Sequence, residues 1–201
     1  MVTVVPIVEG HGDVQAVPVL IRRIAAHCRY QTPNVLRPVR VPRQKLVKPG
    51  EFERAVQLAM LKGGPDGGIL VLVDAEDDCP AQLGPSFVLR AKAVRRNVPI
   101  AVVLAKHEFE AWFLAAAESL RGKRRLPPDS TGPPDPEAVS DAKGWLSSKM
   151  HANDSYRETL DQPALTAMFN LDAARRADSF DKCYREVVAL LDLLKNPQVR
   201  T

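Results

Sequence analysis

The sequence predicts an α/β protein, in which a parallel sheet of about four strands is flanked by helices and followed by a helical C-terminal extension. Short apolar runs alternate with helical stretches through the first part of the chain, an order typical of parallel strands joined by helical crossovers. Beyond a proline-rich segment, helical periodicity alone continues. A chain of 201 residues is long enough to bury one substantial core.

Four apolar runs define the predicted strands. Residues 2–8 are rich in β-branched side chains, and residues 35–41 follow the first helical stretch. Pro38 interrupts the second run. Because proline cannot donate to a strand ladder, we expect that strand at an edge of the sheet or at a bulge. Residues 69–73 and 100–105 are continuous apolar runs, the pattern of strands buried on both faces.

Helical periodicity fills the stretch after each of these runs. In the first stretch, Val17, Leu20, Ile21 and Ile24 fall on one face of a helix. The predicted helices of this part of the chain are residues 14–30, 51–62, 86–97 and 108–120. Right-handed crossovers of this length place the helices on the faces of the sheet, which completes an α/β domain over residues 1–120.

The remainder of the chain is expected to be helical. Residues 121–136 are rich in proline and glycine, a composition that predicts a linker loop. We expect residues 137–201 to form a helical extension packed on the α/β domain. Its predicted helices are residues 137–150, 164–178 and 180–194.

Acidic side chains follow three of the four predicted strands. They are Glu9 and Asp13 after the first run, Asp74, Glu76 and Asp78 after the third, and Glu108 and Glu110 after the fourth. The carboxyl ends of parallel strands meet at one edge of a sheet, so these groups are expected to share a cleft. Crowded carboxylates repel each other unless a cation neutralises them, and hard oxygen ligands suit Mg²⁺ or Mn²⁺. The pattern therefore predicts a metal site.

Glu9 and Asp74 are the foremost candidates, both as metal ligands and as catalytic residues, because each stands directly at the end of a strand. Asp13 begins the next helix. It either reaches the same ion as Glu9 or serves the helix as a capping acid, and the sequence leaves both open.

Glu76 and Asp78 alternate with Asp74 and are further candidate ligands, with an exposed acidic loop as the alternative. Glu110 is a candidate ligand at the start of a helix, where its charge also favours the helix dipole. Lys106 and His107 precede it, and either is a candidate catalytic residue that meets a phosphate or a leaving oxygen. For His107, a packing role is the alternative.

The charge of the chain fits a polyanionic partner. The net charge is +4, and basic residues concentrate in residues 37–48, 90–96 and 121–125. Basic surroundings of an acidic cleft fit nucleic acid, although solvated helix and loop faces give the same pattern. Aromatic residues make up only 5% of the chain, which disfavours a stacking platform for single strands.

Several classes of protein lack their signatures here. The sequence has no P-loop motif, no dinucleotide-binding glycine motif after the first strand and no G-x-S-x-G elbow. Its apolar runs are too short to span a membrane, and no secretory signal is visible. We therefore expect a cytoplasmic protein without a membrane partner.

Four segments carry a resemblance to a known family. They are residues 8–24 (VEGHGDVQAVPVLIRRI), 69–78 (ILVLVDAEDD), 107–115 (HEFEAWFLA) and 161–183 (DQPALTAMFNLDAARRADSFDKC). In this order they resemble an uncharacterised bacterial Toprim-like family, known as a domain of unknown function and related to overcoming-lysogenization-defect (OLD) type nucleases. The Glu-Gly and D-x-[DE] pair that this family shares with Toprim domains is short, whereas the four segments together span most of the chain.

The resemblance implies a Toprim-like sheet with a Mg²⁺-dependent site. Glu9 matches the invariant glutamate, and Asp74 with Glu76 occupies the D-x-D position. Asp13 matches the second acid of the OLD-type pattern, and Glu110 matches the acid before the family's tryptophan. An additional supporting role is implied for Asp78. Glu76 stands where aspartate is usual and Asp13 where glutamate is commoner, so the reach of both side chains departs from the pattern.

These observations lead to an expected function. The leading hypothesis is a Mg²⁺- or Mn²⁺-dependent nuclease that cleaves phosphodiester bonds of DNA or RNA, in phage defence or DNA repair. A non-catalytic nucleic-acid-binding or regulatory partner of an ATPase is the alternative, and nucleotidyl transfer by the same acids is a third. The sequence leaves a homo-oligomer open.

Overall fold

A computed structural model of the chain describes residues 1–151 and 154–196. Its centre is a parallel sheet in which the strand order is β2-β1-β4-β5, and β3 also pairs with β1. The strands are β1 (Thr3–Val8), β2 (Asn34–Val35), β3 (Val39–Arg40), β4 (Gly68–Asp74) and β5 (Ile100–Ala105). The predicted α/β class with a parallel sheet flanked by helices is confirmed.

The register of the sheet brings the carboxyl ends of its central strands together. Ile7 of β1 lies opposite Val71 of β4, and Asp74 at the end of β4 lies opposite Ala105 of β5. Because all pairings are parallel, the segments that follow these strands leave the sheet at the same edge.

Helices cover both faces of the sheet. They are α1 (Asp13–His27), α2 (Arg43–Leu46), α3 (Glu51–Gly63), α4 (Pro80–Val94), α5 (Ala111–Ala115), α6 (Ala142–Lys149), α7 (Glu158–Thr166), α8 (Leu171–Ala174) and α9 (Asp178–Lys195). The alternating side chains of the strands separate two apolar layers: Val4 and Val8 pack with α1 and α9, while Val5 and Ile7 pack with α3 and α4. The helical C-terminal part therefore shares its core with the sheet.

The second predicted strand is only partly correct. Residues 35–41 form two separate two-residue pairings, β2 and β3, both with β1. Pro38 lies between them, and its missing N–H prevents a continuous ladder.

Several helix boundaries also differ from expectation. The helix expected over residues 86–97 begins at Pro80, since proline suits the first helical turn. The one expected over 108–120 is reduced to α5 and a 3₁₀ turn (Ala117–Leu120), because residues 108–110 form a turn at the sheet edge.

Two helices of the C-terminal part are divided by capping residues. The helix expected over 164–178 is replaced by α7 and α8, and α8 begins where the Asn170 side chain accepts a hydrogen bond from the backbone N–H of Ala173. The helix expected over 137–150 becomes a 3₁₀ turn (Pro136–Ala138) and α6, with Asp141 accepting from the backbone N–H of Gly144.

The proline-rich segment of residues 121–136 is attached to the rest of the fold. Leu126 is buried, and Arg121 Nε donates a 2.7 Å hydrogen bond to the carbonyl of Ser130. Arg124 and Arg125 both pair with the fully buried carboxylate of Asp161 at 2.6 Å. Among the helices that the structure describes, none is both long and apolar enough to cross a membrane.

Candidate functional site

A cavity of about 240 Å³ opens at the carboxyl edge of the sheet. It is lined by side chains from the ends of β1 and β4 and from the helices packed beside them. The lining residues are Glu9, Gly10, Asp13, Pro42, Arg43, Asp74, Glu76, Glu110, Lys143, Glu158 and Gln162. Five of the six acids predicted as metal ligands therefore line one cavity, and Asp78 is the one that does not.

Backbone donors orient the two central acids. Glu9 Oε1 accepts a 2.7 Å hydrogen bond from the backbone N–H of Asp74, and Asp74 Oδ1 accepts a 2.8 Å hydrogen bond from the backbone N–H of Phe109. The ends of β1 and β4 and the turn after β5 are thereby linked through carboxylates. The second oxygen of Glu9, Oε2, is buried without a hydrogen-bond partner. A buried carboxylate oxygen without a partner is costly, so it indicates a place for a ligand.

Asp13 is buried and closes the turn between β1 and α1. Its Oδ2 accepts from the backbone N–H of Gly10 at 2.9 Å, and its Oδ1 accepts from Gln162 Nε2 at 2.8 Å. The sequence left open whether Asp13 caps α1 or reaches into the site. In the structure its carboxylate bonds to the turn ahead of the helix and lines the cavity as well.

Helix α7 packs closely against this turn. Glu158 Oε1 accepts a 2.9 Å hydrogen bond from the backbone N–H of Gly12. A Cβ atom on Gly12 would lie 2.0 Å from Gln162 Oε1 and 2.8 Å from the carbonyl oxygen of Glu158, so only glycine permits the approach. Neither Glu158 nor Gln162 was predicted from the sequence as a residue of the site. The signal available for Gln162 was its place in the fourth resembling segment.

Glu110 lines the cavity and is fully buried. Its Oε1 accepts from the Tyr156 hydroxyl at 2.8 Å, and its Oε2 lies 3.4 Å from Lys143 Nζ without a hydrogen bond. Lys143 Nζ also donates to Glu108 at 3.0 Å. Although burial opposes the charge on Lys143, the carboxylates of Glu110 and Asp74 raise the pKa of its ammonium group overall. Sequence reasoning missed both Lys143 and Tyr156, since neither belongs to an acidic or strand-end pattern.

The cavity carboxylates titrate abnormally because they are buried together. Burial raises the pKa of Glu9 to about 7, with the negative charge of Asp13 acting in the same direction. Burial raises the pKa of Glu110 to about 7 as well, against the opposing charge of Lys143. The pKa of Asp74 is also raised, first by burial and then by the charges of Glu110, Asp13 and Glu9.

Of the remaining predicted residues, Glu76 lines the cavity, whereas the structure does not bring Lys106, His107 or Asp78 into it. Lys106 is exposed and His107 is half-buried, and neither is among the described residues that line it. Glu76 is exposed at its rim, with a left-handed φ of 50°, and its backbone N–H donates to the carbonyl of His107 at 3.2 Å. His107 has a φ of 58°, and its Nδ1 lies 3.1 Å from the carbonyl oxygen of Glu76. Asp78 pairs with Arg43.

The side chains that line the cavity offer carboxylate oxygens, which are the donors that divalent cations such as Mg²⁺ bind. Carboxylates gathered in one cavity, with an oxygen of Glu9 and one of Glu110 that accept no hydrogen bond, are the kind of ligand that Mg²⁺ and Mn²⁺ take, although the Glu110 oxygen already has Lys143 as an ion-pair partner. Over residues 1–151 and 154–196, however, no three Asp, Glu, His or Cys side chains already converge as a formed metal site. Backbone donors hold one oxygen each of Glu9 and Asp74, so binding an ion involves the other oxygens and a local adjustment.

The fold and the cavity define an α/β protein with an acid-lined cavity at the carboxyl edge of its parallel sheet. The chain belongs to the family described as Domain of unknown function (DUF4276), whose model matches residues 8–187. The expected membership of an uncharacterised family is thereby confirmed. Comparisons with curated proteins and with solved structures give no match.

Proposed function

We propose that this protein is a Mg²⁺- or Mn²⁺-dependent nuclease that hydrolyses phosphodiester bonds of DNA or RNA. The observation that carries the proposal is the gathering of Glu9, Asp13, Asp74 and Glu110 in one cavity, where burial raises the pKa of each carboxyl group. Such a cluster is unstable by itself at neutral pH, and a divalent cation relieves the repulsion.

In this proposal Glu9 and Asp74 hold the ion, with Asp13 and Glu110 beside them. A divalent ion bound there supplies a Lewis acid that lowers the pKa of an attacking water and stabilises the leaving oxygen. The backbone N–H groups of Asp74 and Phe109 keep the Glu9 and Asp74 carboxylates in place. Lys143 offsets part of the negative charge, and Tyr156 orients Glu110 by its hydrogen bond.

A neighbouring basic cavity supports a polyanionic substrate. It has a volume of about 370 Å³, and His11, Arg37 and Arg40 are among the residues that line it. Arg40 Nη1 donates a 3.1 Å hydrogen bond to the carbonyl oxygen of Glu9, which places the basic side chain beside the acidic cavity. A nucleic-acid backbone that presents one phosphate to the acidic cavity has further phosphates to place along this basic surface.

The resemblance to Toprim domains and OLD-type nucleases agrees with the proposal. It rests on Glu9, Asp13, Asp74 and Glu76, all of which line the acidic cavity. From this resemblance we extend the proposal to a role in phage defence or DNA repair.

Cleavage of labelled DNA and RNA with Mg²⁺, with Mn²⁺ and with EDTA tests the proposal. We expect ion-dependent cleavage by the wild type and a loss of about 100-fold or more in Glu9→Gln and in Asp74→Asn. Glu51→Gln is the matched control, because Glu51 pairs with the exposed Arg54 on α3, away from the cavity. Cleavage that persists unchanged in both cavity variants contradicts the proposal.

A non-catalytic role in nucleic-acid binding or as a regulatory partner is the second candidate. It is favoured by one observation, that the described acids do not yet converge on a single point. Calorimetric titration with Mg²⁺ and Mn²⁺ separates the two candidates. Ion binding that is lost in Glu9→Gln supports the nuclease, and no ion binding at millimolar concentration supports the second role.

A further inference from the structure

Arg43 is an arginine with unused hydrogen-bonding capacity inside the protein. Its side chain is only 9% exposed, and its Nε and Nη1 atoms are buried without a hydrogen-bond partner. A guanidinium remains charged at any pH at which the protein folds, so it cannot relieve this burial by losing a proton. Buried donors on a fixed charge are costly unless a ligand satisfies them.

Arg43 belongs to the wall of the acidic cavity. Arg43 begins α2, and it lines the cavity together with Glu9 and Asp74. Its charge acts on the site, since it is among the groups that lower the pKa of the Glu9 carboxyl against the larger effect of burial. Its third nitrogen, Nη2, donates to Asp78 Oδ2. Asp78 thus holds one side of the guanidinium, while Nε and Nη1 are without partners.

We infer that Arg43 binds a phosphate group of the substrate in this cavity, and that Asp78 positions it. The inference rests on the proposed function for the substrate class. The guanidinium holds its N–H donors in a fixed plane, so either unpartnered nitrogen, Nε or Nη1, can donate to a phosphate oxygen while Nη2 stays on Asp78, and the single ammonium of a lysine cannot reproduce this. Phosphate fits beside these carboxylates when part of their charge is offset, by a divalent cation or by neutralising one of them, and Arg43 then supplies a positive contact.

Asp78 supports Arg43 in this arrangement and does not serve as a metal ligand. The sequence placed Asp78 among the metal ligands, but its carboxylate is 59% exposed and is engaged by Arg43. Asp78 is therefore a positioning residue, which acts on the substrate phosphate through the guanidinium.

Nuclear magnetic resonance of protein labelled with ¹⁵N-arginine tests the inference. Inorganic phosphate is titrated in EDTA into Glu9→Gln, a variant that keeps an oxygen acceptor for the Asp74 N–H but removes the nearby negative charge. We expect a saturable shift of the Arg43 Nε–H resonance, and a phosphate affinity at least tenfold weaker when Arg43→Lys is added. Arg54→Lys is the matched control, since Arg54 is 75% exposed, and it should leave the affinity unchanged.

Asp78→Asn distinguishes a positioning residue from a metal ligand. We expect it to weaken phosphate binding several-fold and to leave the rise in Tm caused by Mn²⁺ unchanged. Loss of that rise with phosphate affinity intact would show a metal ligand and overturn the assignment.

The outcome for phosphate can be separated from the outcome for the metal. Phosphate binding through Arg43 in EDTA, without any binding of Mn²⁺ to the wild type, retains this inference and rejects the metal-dependent nuclease. Phosphate is also titrated into the wild type with Mn²⁺. If the Arg43 resonance shifts neither in that sample nor in Glu9→Gln in EDTA, the inference is overturned. That result needs no substitution at Arg43, so it stands even if Arg43→Lys does not fold.

Discussion

Glu9 Oε1 accepts a 2.7 Å hydrogen bond from the backbone N–H of Asp74, across the ends of two adjacent strands. One carboxylate oxygen of Glu9 makes this bond and fixes the geometry of the strand ends. The other oxygen, Oε2, is buried without a hydrogen-bond partner and is the one left for a ligand. The candidate site is therefore built on the sheet itself, and its stability and its chemistry depend on the same two acids.

Replacing Glu9 by glutamine should stabilise the metal-free protein at alkaline pH. The pKa of Glu9 is raised from 4.5 to about 7 in the folded state, so folding favours its protonated form. Its contribution to stability is complete below about pH 4.5 and is lost as the pH rises through about 7. In EDTA we expect the Tm of the wild type to fall between pH 5 and pH 8, and Glu9→Gln to melt about 2–4 °C higher at pH 8.

Differential scanning calorimetry across this pH range, with Glu51→Gln as a control of equal chemistry, measures the effect. Raised pKa values of Asp13, Asp74 and Glu110 act in the same direction, so the variant should flatten the pH profile without abolishing its slope. A profile identical to that of the wild type would show that the Glu9 carboxyl is not destabilised by the fold.

Lys143 is expected to act as the resident counter-ion of the acidic cavity. Its ammonium group lies 3.0 Å from Glu108 and 3.4 Å from the buried Glu110. Lys143→Gln leaves Glu110 without a cation, and we expect a loss of about 2–3 kcal/mol in the metal-free free energy of unfolding. Because a divalent ion then replaces the missing charge, the rise in Tm on adding Mn²⁺ should be larger than in the wild type.

Chemical denaturation with and without Mn²⁺ measures both effects. Lys149→Gln is the control on the same helix, since Lys149 is exposed and lies over the Trp145 ring. Equal losses of stability in the two variants would mean that Lys143 has no special part in the cavity.

Asp161 should be essential for holding the proline-rich segment. Its fully buried carboxylate accepts hydrogen bonds from Arg124, Arg125 and the backbone N–H of Arg157. Both arginine partners have left-handed φ angles of 48° and 69°, a conformation that needs support from its surroundings. Asp161→Asn leaves this cluster with uncompensated positive charge, and we expect a loss of about 3 kcal/mol in the free energy of unfolding.

Urea denaturation measures the loss, and limited trypsin digestion should show faster cleavage within residues 121–136. Asp154→Asn is the control, because its carboxylate is 37% exposed and lies 3.5 Å from Arg125. If Asp161→Asn were no more sensitive than this control, the buried cluster would not be what retains the segment.

The ion pair between Glu53 and Arg90 should make the stability of the fold sensitive to acid. Glu53 belongs to α3, on the face of the sheet that packs with α3 and α4. Arg90 donates to both carboxylate oxygens of Glu53, at 2.6 and 2.9 Å, while its guanidinium lies 5.1 Å from the centre of the Phe52 ring. This hydrogen bonding lowers the pKa of Glu53 from 4.5 to about 2. The pair therefore stabilises the fold above about pH 4.5, and the stabilisation is lost as the pH falls towards 2.

Glu53→Gln should lower the Tm at pH 7, and its difference from the wild type should shrink between pH 5 and pH 3. Thermal melts followed by circular dichroism test this, with Glu51→Gln on the same helix as the control. A difference that stays constant with pH would exclude the charge on Glu53 as its source.

The part of the site that comes from strand ends could be predicted from the sequence. Apolar runs identify β1, β4 and β5 by local periodicity, and parallel pairing then brings Glu9 and Asp74 to one edge. The edge position expected for residues 35–41 from Pro38 agrees with the structure, whereas their division into two separate pairings with β1 was not predicted, since it depends on the register between the strands.

The part of the site that comes from the C-terminal helices could not be predicted in this way. Glu158 is 146 residues from Gly12, and no local pattern indicates that α7 lies against the β1–α1 turn. Lys143 resembles any other lysine of an amphipathic helix until α6 is packed beside Glu110. Arg43 was visible only as one member of a basic run, because its burial depends on tertiary packing.

Anomalous diffraction from crystals grown with Mn²⁺ locates the ion and shows whether Glu9 and Asp74 bind it. We predict an anomalous peak in the acidic cavity, next to carboxylate oxygens of Glu9 and Asp74, and no peak there in crystals of Asp74→Asn. If crystals in millimolar Mn²⁺ show no peak in this cavity, or a peak held by other residues, Glu9 and Asp74 are not the metal ligands of this protein.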